Sequence, residues 1–132
     1  MSFEEVGTVL DEIAESLPAG LFRNLNGGII LLPEIKLHPE SQEGNRLYVV
    51  GEYRYEPWGL GRYIVIFYGS FLYSYGMQPQ PRQRSELRRV LLHEFKHHVQ
   101  SLGGTRGLEK EDAQRLARFR RTRLLPEVKK PN

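Results

Sequence analysis

The 132-residue chain reads as a single α+β domain, in which a small twisted mixed β-sheet packs against an N-terminal helix and a second, motif-bearing helix, followed by a C-terminal helix. Three observations predict this architecture. An amphipathic helical period opens the chain, runs rich in Ile, Val and Tyr fill its middle, and helical spacing returns from Glu86 onward. The domain is expected to occupy residues 1–125, with 126–132 as a loose tail.

Composition narrows the chemistry. Hydrophobic residues make up 39% and charged residues 27%, a balance that supports a packed core rather than disorder. There is no cysteine, which excludes disulfides, thiolate metal sites and cysteine nucleophiles, so any metal must take nitrogen or oxygen ligands. Net charge is +3, too small to imply a partner by itself. The acidic, amphipathic start lacks the basic flank of a secretory signal, and no run of about 18 apolar residues occurs, so a soluble cytoplasmic protein without a membrane partner is expected.

From Phe3 to Leu17, apolar residues fall at Phe3, Val6, Val9, Leu10, Ile13, Ala14 and Leu17, one face of a helix with Ser2 as N-cap and Pro18 as its stop. After the turn signal Asn26-Gly27-Gly28, Ile29–Leu32 reads as a strand ended by Pro33. Leu47–Val50 reads as another, and past Gly51 the alternation of Tyr53 and Tyr55 with Glu52, Arg54 and Glu56 reads as a half-exposed one. Pro57–Gly61 turns the chain into Tyr63–Tyr68, whose lack of alternating polar residues marks a strand that is covered on both faces or central to the sheet. All seven tyrosines and the single tryptophan lie between residues 48 and 75, and are read as a β core with amphipathic rims rather than a base-stacking platform. Met77–Arg84, with two prolines, is expected to be a loop. Ser85 then caps a helix from Glu86 to about Leu102, closed by Gly103-Gly104. A last helix is expected from about Leu108 to Leu125, stopped by Pro126.

The helix from Glu86 carries His93-Glu94-Phe95-Lys96-His97, an HExxH motif. At 100° per residue its two histidines stand one turn and about 40° apart, so both imidazoles reach one ion. Glu94 is displaced from that line enough to act on a water rather than on the metal, the position of a general base. Imidazole and carboxylate ligands suit Zn²⁺, and the chemistry implied is metal-assisted amide hydrolysis of a peptide or protein substrate. A third ligand is required. His98 points about 100° away from His97 and is expected to be packed or to support the site from behind, and His38 is expected at the surface. Past the turn, Glu109 and Asp112 share a helix face at i, i+3 while Glu111 does not lie with both. Each is either a first-turn acid favoured by the helix dipole or a metal ligand, and at least one is expected to complete the site.

The segment HEFKHHVQSLGGTRGLEKEDAQRL, from His93 to Leu116, resembles the small bacterial minimal-zincin metallopeptidases with a matrix-metalloprotease-like core. A weaker likeness covers the N-terminal helix, GGIILLPE and IVIFYGSF, so that the resemblance spans roughly residues 3–117. It implies a zincin-like fold, His93 and His97 as zinc ligands, Glu94 as the catalytic carboxylate and an acid of the LEKED segment as the remaining ligand. Metzincins carry a further histidine where this chain has Gly103, and a methionine after the motif, whereas Met1 and Met77 both precede it. Zincin folds also bind extended peptides along a sheet edge, a role open to YIVIFYGSF, which equally reads as a buried strand without substrate contact.

A basic cluster, Arg115, Arg118, Arg120, Arg121, Arg123, Lys129 and Lys130, is interrupted only by Glu127. It is read as a solvated helix face rather than a nucleic-acid interface. The alternative function is a non-catalytic zinc-containing binding or adaptor protein that contacts nucleic acid through this segment.

Overall fold

The computed structural model describes residues 1–103. The expected C-terminal helix, the domain limit at residue 125, the 126–132 tail, the basic cluster, and Glu109 and Asp112 lie outside the described residues.

Helix α1 runs Phe3–Ser16 and begins with a capping box. Ser2 Oγ accepts the Glu5 amide proton at 3.1 Å, while the Glu5 carboxylate accepts that of Ser2 at 2.7 Å. A short 3₁₀ turn, Ala19–Phe22, leads to strand β1, Gly28–Leu32. Strands β2, Gly51–Glu56, and β3, Gly61–Phe67, form a hairpin. The sheet order is β1-β3-β2, with β1 parallel and β2 antiparallel to β3. Helix α2 spans Tyr68–Tyr75 and α3 spans Gln80–Ser101. The chain is therefore α+β, with a three-stranded mixed sheet and three α-helices among the described residues.

Three expectations need correction. The apolar stretch Leu47–Val50 does not extend β2, which starts at Gly51. Residues 47–49 instead lie against the preceding loop, where Val49 N–H donates to the Lys36 carbonyl and His38 N–H to that of Leu47, each at 2.8 Å. The YIVIFYGSF run splits after Phe67, and Tyr68–Phe71 begin α2 rather than continue a strand. The cause is tertiary: Gly69 packs so close that a Cβ there would stand 2.8 Å from the Glu34 carbonyl oxygen, and Ser70 Oγ both accepts from the Lys36 amide and donates to its carbonyl. Among the described strands β3 is central and offers no free edge, in keeping with the buried-strand reading of this run. Finally, α3 starts at Gln80, so Ser85 lies inside the helix. Pro79 is the N-cap, and Pro81 sits in the first turn, where a missing N–H costs nothing.

The core closes between α1, α3 and one face of the sheet. Val6, Val9, Leu10 and Ile13 of α1 meet Leu87, Val90, Leu91 and Phe95 of α3 over Ile64 and Ile66 of β3. On the other face Tyr63, Val65 and Phe67 join Val49 in a smaller cluster, so every residue from Tyr63 to Phe67 is buried, which accounts for the missing polar alternation. Trp58, at the hairpin turn, is fully exposed. The first half of α3 is anchored by a buried pair, Arg89 Nε donating to Glu86 at 2.8 Å, to which Arg82 adds a 3.0 Å contact and the Tyr75 hydroxyl one of 2.9 Å on Arg89. Among the described residues no helix is long and apolar enough to cross a membrane.

Phe95, fully buried and in edge contact with Phe22 at 5.0 Å between ring centroids, ties α3 to the 3₁₀ turn. Phe95→Ala is expected to lower unfolding free energy by about 3–5 kcal/mol, read as a reduced urea midpoint at unchanged slope.

Candidate metal and hydrolytic site

The site is built on the last three turns of α3. Leu91, Leu92, Phe95 and Val99 bury one side of the helix, which turns His93 and His97 away from the core. His93 is half-buried and His97 exposed. Their Nε2 atoms converge to 3.1 Å with the rings edge-on at 82°. That separation is about what two imidazoles would span in holding one divalent ion between them.

Glu94 is fully buried, yet it borders the groove between α3 and β2. The groove, about 610 Å³, is lined by Glu52, Tyr53, Glu94, His97, Gln100 and Ser101. Gly51 permits this arrangement. A Cβ there would stand 2.6 Å from Val90 Cγ1 and 3.1 Å from Glu94 Oε2, so only glycine lets β2 descend onto the carboxylate. Gly51 was legible in the sequence as the break in an apolar run, but its partner on α3 was not.

His98 is fully buried and lies behind the site. Its Nε2 stands 2.8 Å from the Arg23 carbonyl oxygen and its Nδ1 2.8 Å from the Tyr53 hydroxyl. A carbonyl only accepts, so in the neutral ring Nε2 carries the proton and Nδ1 accepts from Tyr53. Both nitrogens are thus used in tying α3 to β2 and to the end of the 3₁₀ turn, and His98 is a packed imidazole rather than a ligand. Burial pushes the Tyr53 phenol above its ordinary value against the pull of Ser101 and Arg62, which keeps it a donor to His98. His38 is half-buried in the loop between β1 and β2, where its Nδ1 accepts from the Glu40 amide at 3.1 Å.

Glu52, on the groove rim, is held by Lys36 at 2.5 Å and Arg54 at 2.8 Å. Burial raises its carboxyl pKa, but the hydrogen bonds and charges of Lys36 and Arg54 win, holding it below the usual carboxylate range. Tyr53, Glu52 and the Gln100–Ser101 end of the groove were not singled out by motif reasoning, because only the β2–α3 contact brings them beside the histidines. Glu109 and Asp112, the expected third ligands, lie outside the described residues. Among the described residues, no group of three or more His, Asp or Glu gathers as a metal site.

No family model matches the chain, and no curated protein matches it. Among solved structures, it is similar to a conserved hypothetical protein from T. thermophilus, with 32% identity over 78% of this chain and 98% of that one and a TM-score of 0.64.

Two outcomes follow from this geometry. Gly51→Ala forces β2 off Val90 and Glu94 and is expected to cost about 1–3 kcal/mol in denaturant titration, with a matching change in the groove-facing amide shifts. Because the Glu52 pKa is depressed by folding, its stabilisation is present above the unfolded carboxylate value and is lost as pH falls through the folded one. The stability gap between wild type and Glu52→Gln is therefore expected at neutral pH and should close in acid, as followed by thermal melts across pH.

Proposed function

From the premise that this chain belongs to the family of the T. thermophilus conserved hypothetical protein, whose description names no activity, we propose that it is a zinc-dependent peptidase of zincin-like design that works on peptide or protein substrates. The observation that carries this reading is the convergence of His93 and His97 at 3.1 Å, with His97 and the buried Glu94 bordering an open groove.

His93 and His97 would hold the metal, with Asp112 or Glu109 as the further ligand. The chemistry zinc supplies when bound is Lewis-acid polarisation of a carbonyl and acidification of water. Glu94 performs the proton transfers. Its carboxylate takes a proton from the attacking water as the water oxygen bonds to the substrate carbonyl carbon. The protonated carboxyl then returns that proton to the amide nitrogen as the carbon–nitrogen bond breaks, so the carboxylate is regenerated. Burial of Glu94 under Gly51 excludes bulk water from this carboxyl and fixes its orientation.

Strand β2 supplies the means to lay out a substrate. Val50 C=O accepts from Phe67 N–H at 2.8 Å, and the antiparallel register alternates from there, so the peptide groups of Tyr53 and Tyr55 face away from β3. This edge lies beside the histidines, and an extended peptide can add to it as a strand.

Zinc is expected to copurify near one per chain and to be lost in His93→Ala and His97→Ala, as measured by metal analysis. Glu94→Gln is expected to retain zinc while peptide-library hydrolysis falls by about 10²-fold or more, because an amide cannot accept the water's proton. Wild-type rates in the zinc-loaded Glu94→Gln protein would overturn the mechanism.

A further inference from the structure

Beyond the hydrolytic groups, a cation bonded to the groove residue Ser101 carries a charge that no described carboxylate answers. Lys36, Arg54, Arg82, Arg84 and Arg89 each sit on an acidic side chain within 3.0 Å, whereas the half-buried Arg62, like the exposed Arg46 and Lys96, has no such partner among the described residues. Arg62 is nonetheless held in place. It stands directly across the β2–β3 ladder from Tyr55, with its guanidinium carbon 4.1 Å from that ring's centroid, and its Nε donates to Ser101 Oγ at 3.1 Å. Stacking fixes the plane of the guanidinium and the Nε bond fixes its rotation, which holds the group in one orientation beside the Tyr53 hydroxyl that lines the groove.

The anchor point matters. Ser101 lines the groove and lies one helical turn after His97 on the same face of α3. A helical turn rises about 5.4 Å, close to two residues of extended chain. The rim carboxylate nearest the groove, Glu52, is already shared between two cations, so it does not compete for Arg62.

We propose that Arg62 is the specificity residue of the groove and recognises a substrate carboxylate about two residues from the bond to be cut. The inference takes the groove as the substrate site of the preceding section, but it concerns binding rather than turnover. The carboxylate has two sources, a peptide C-terminus or an Asp or Glu side chain, which offer the same pair of oxygens to the guanidinium.

Three N-acetylated tetrapeptides separate these possibilities: Ala-Leu-Ala-Ala as free acid, the same sequence as carboxamide, and Ala-Leu-Ala-Glu as carboxamide. Each is titrated calorimetrically into the full chain carrying Glu94→Gln, with zinc and after chelation, and hydrolysis by the wild type is followed separately. At least one carboxylate-bearing peptide is expected to bind about tenfold tighter than the plain carboxamide, with the margin shrinking in high salt. Which of the two it is identifies the source. Arg62→Gln should level the affinities, and Arg62→Lys should restore part of the difference because it keeps the charge without the fork. Affinities within about twofold across all three peptides, no measurable binding, or a preference that survives Arg62→Gln would each overturn the assignment. A preference that depends on Arg62 without any wild-type hydrolysis would count against the peptidase reading and leave the Arg62 assignment standing.

Discussion

The close approach of β2 to α3 at Gly51 is the contact on which the site depends. Backbone lies against Val90 and Glu94 at a distance that even a methyl group would prevent. That approach buries the Glu94 carboxyl and sets the depth of the groove floor. It also places Glu52 and Tyr53 of β2 across the groove from His97. A residue with no side chain thus sets the position of the Glu94 carboxyl.

Below this contact the arrangement is held by directional bonds rather than by packing alone. The Tyr53 hydroxyl, the His98 ring and the Arg23 carbonyl form a short series that joins β2, α3 and the end of the 3₁₀ turn. Because His98 is the residue after His97, fixing its ring fixes the roll of α3 about its own axis. The roll decides whether two imidazoles at i, i+4 meet at 3.1 Å or splay apart. Apolar contacts at Leu91, Phe95 and Val99 seat the helix but tolerate small rotations that hydrogen bonds at both nitrogens of one ring do not.

Charge is distributed with the same economy. Glu86 is buried with Arg89 at the far end of α3, and Glu52 is neutralised by Lys36 and Arg54 on the rim. In both places a carboxylate is paired with adjacent guanidinium or ammonium groups, and neither is left to compete at the histidines. Arg62 stands apart from this pattern, held by an aromatic face and a hydroxyl instead of an acid.

Local chemistry was legible in the amino-acid order. The capped first helix, the motif on a helical period, the packed fate of His98 and the double-sided burial of Ile64–Phe67 all follow from spacing, because side-chain direction repeats every 3.6 residues in a helix and every two in a strand. Element limits were less legible. Tyr68–Phe71 joined a helix, and α3 began ahead of Ser85, since short apolar runs suit either conformation and prolines in a first turn disrupt nothing. What the sequence by itself determined is which side chains can share one face of one helix. Only the tertiary structure decided what lies opposite that face. The nearness of Gly51, Tyr53 and Arg62 to a helix that begins some twenty to thirty residues later depends on sheet order and on how closely two backbones approach, and neither is encoded in any local period.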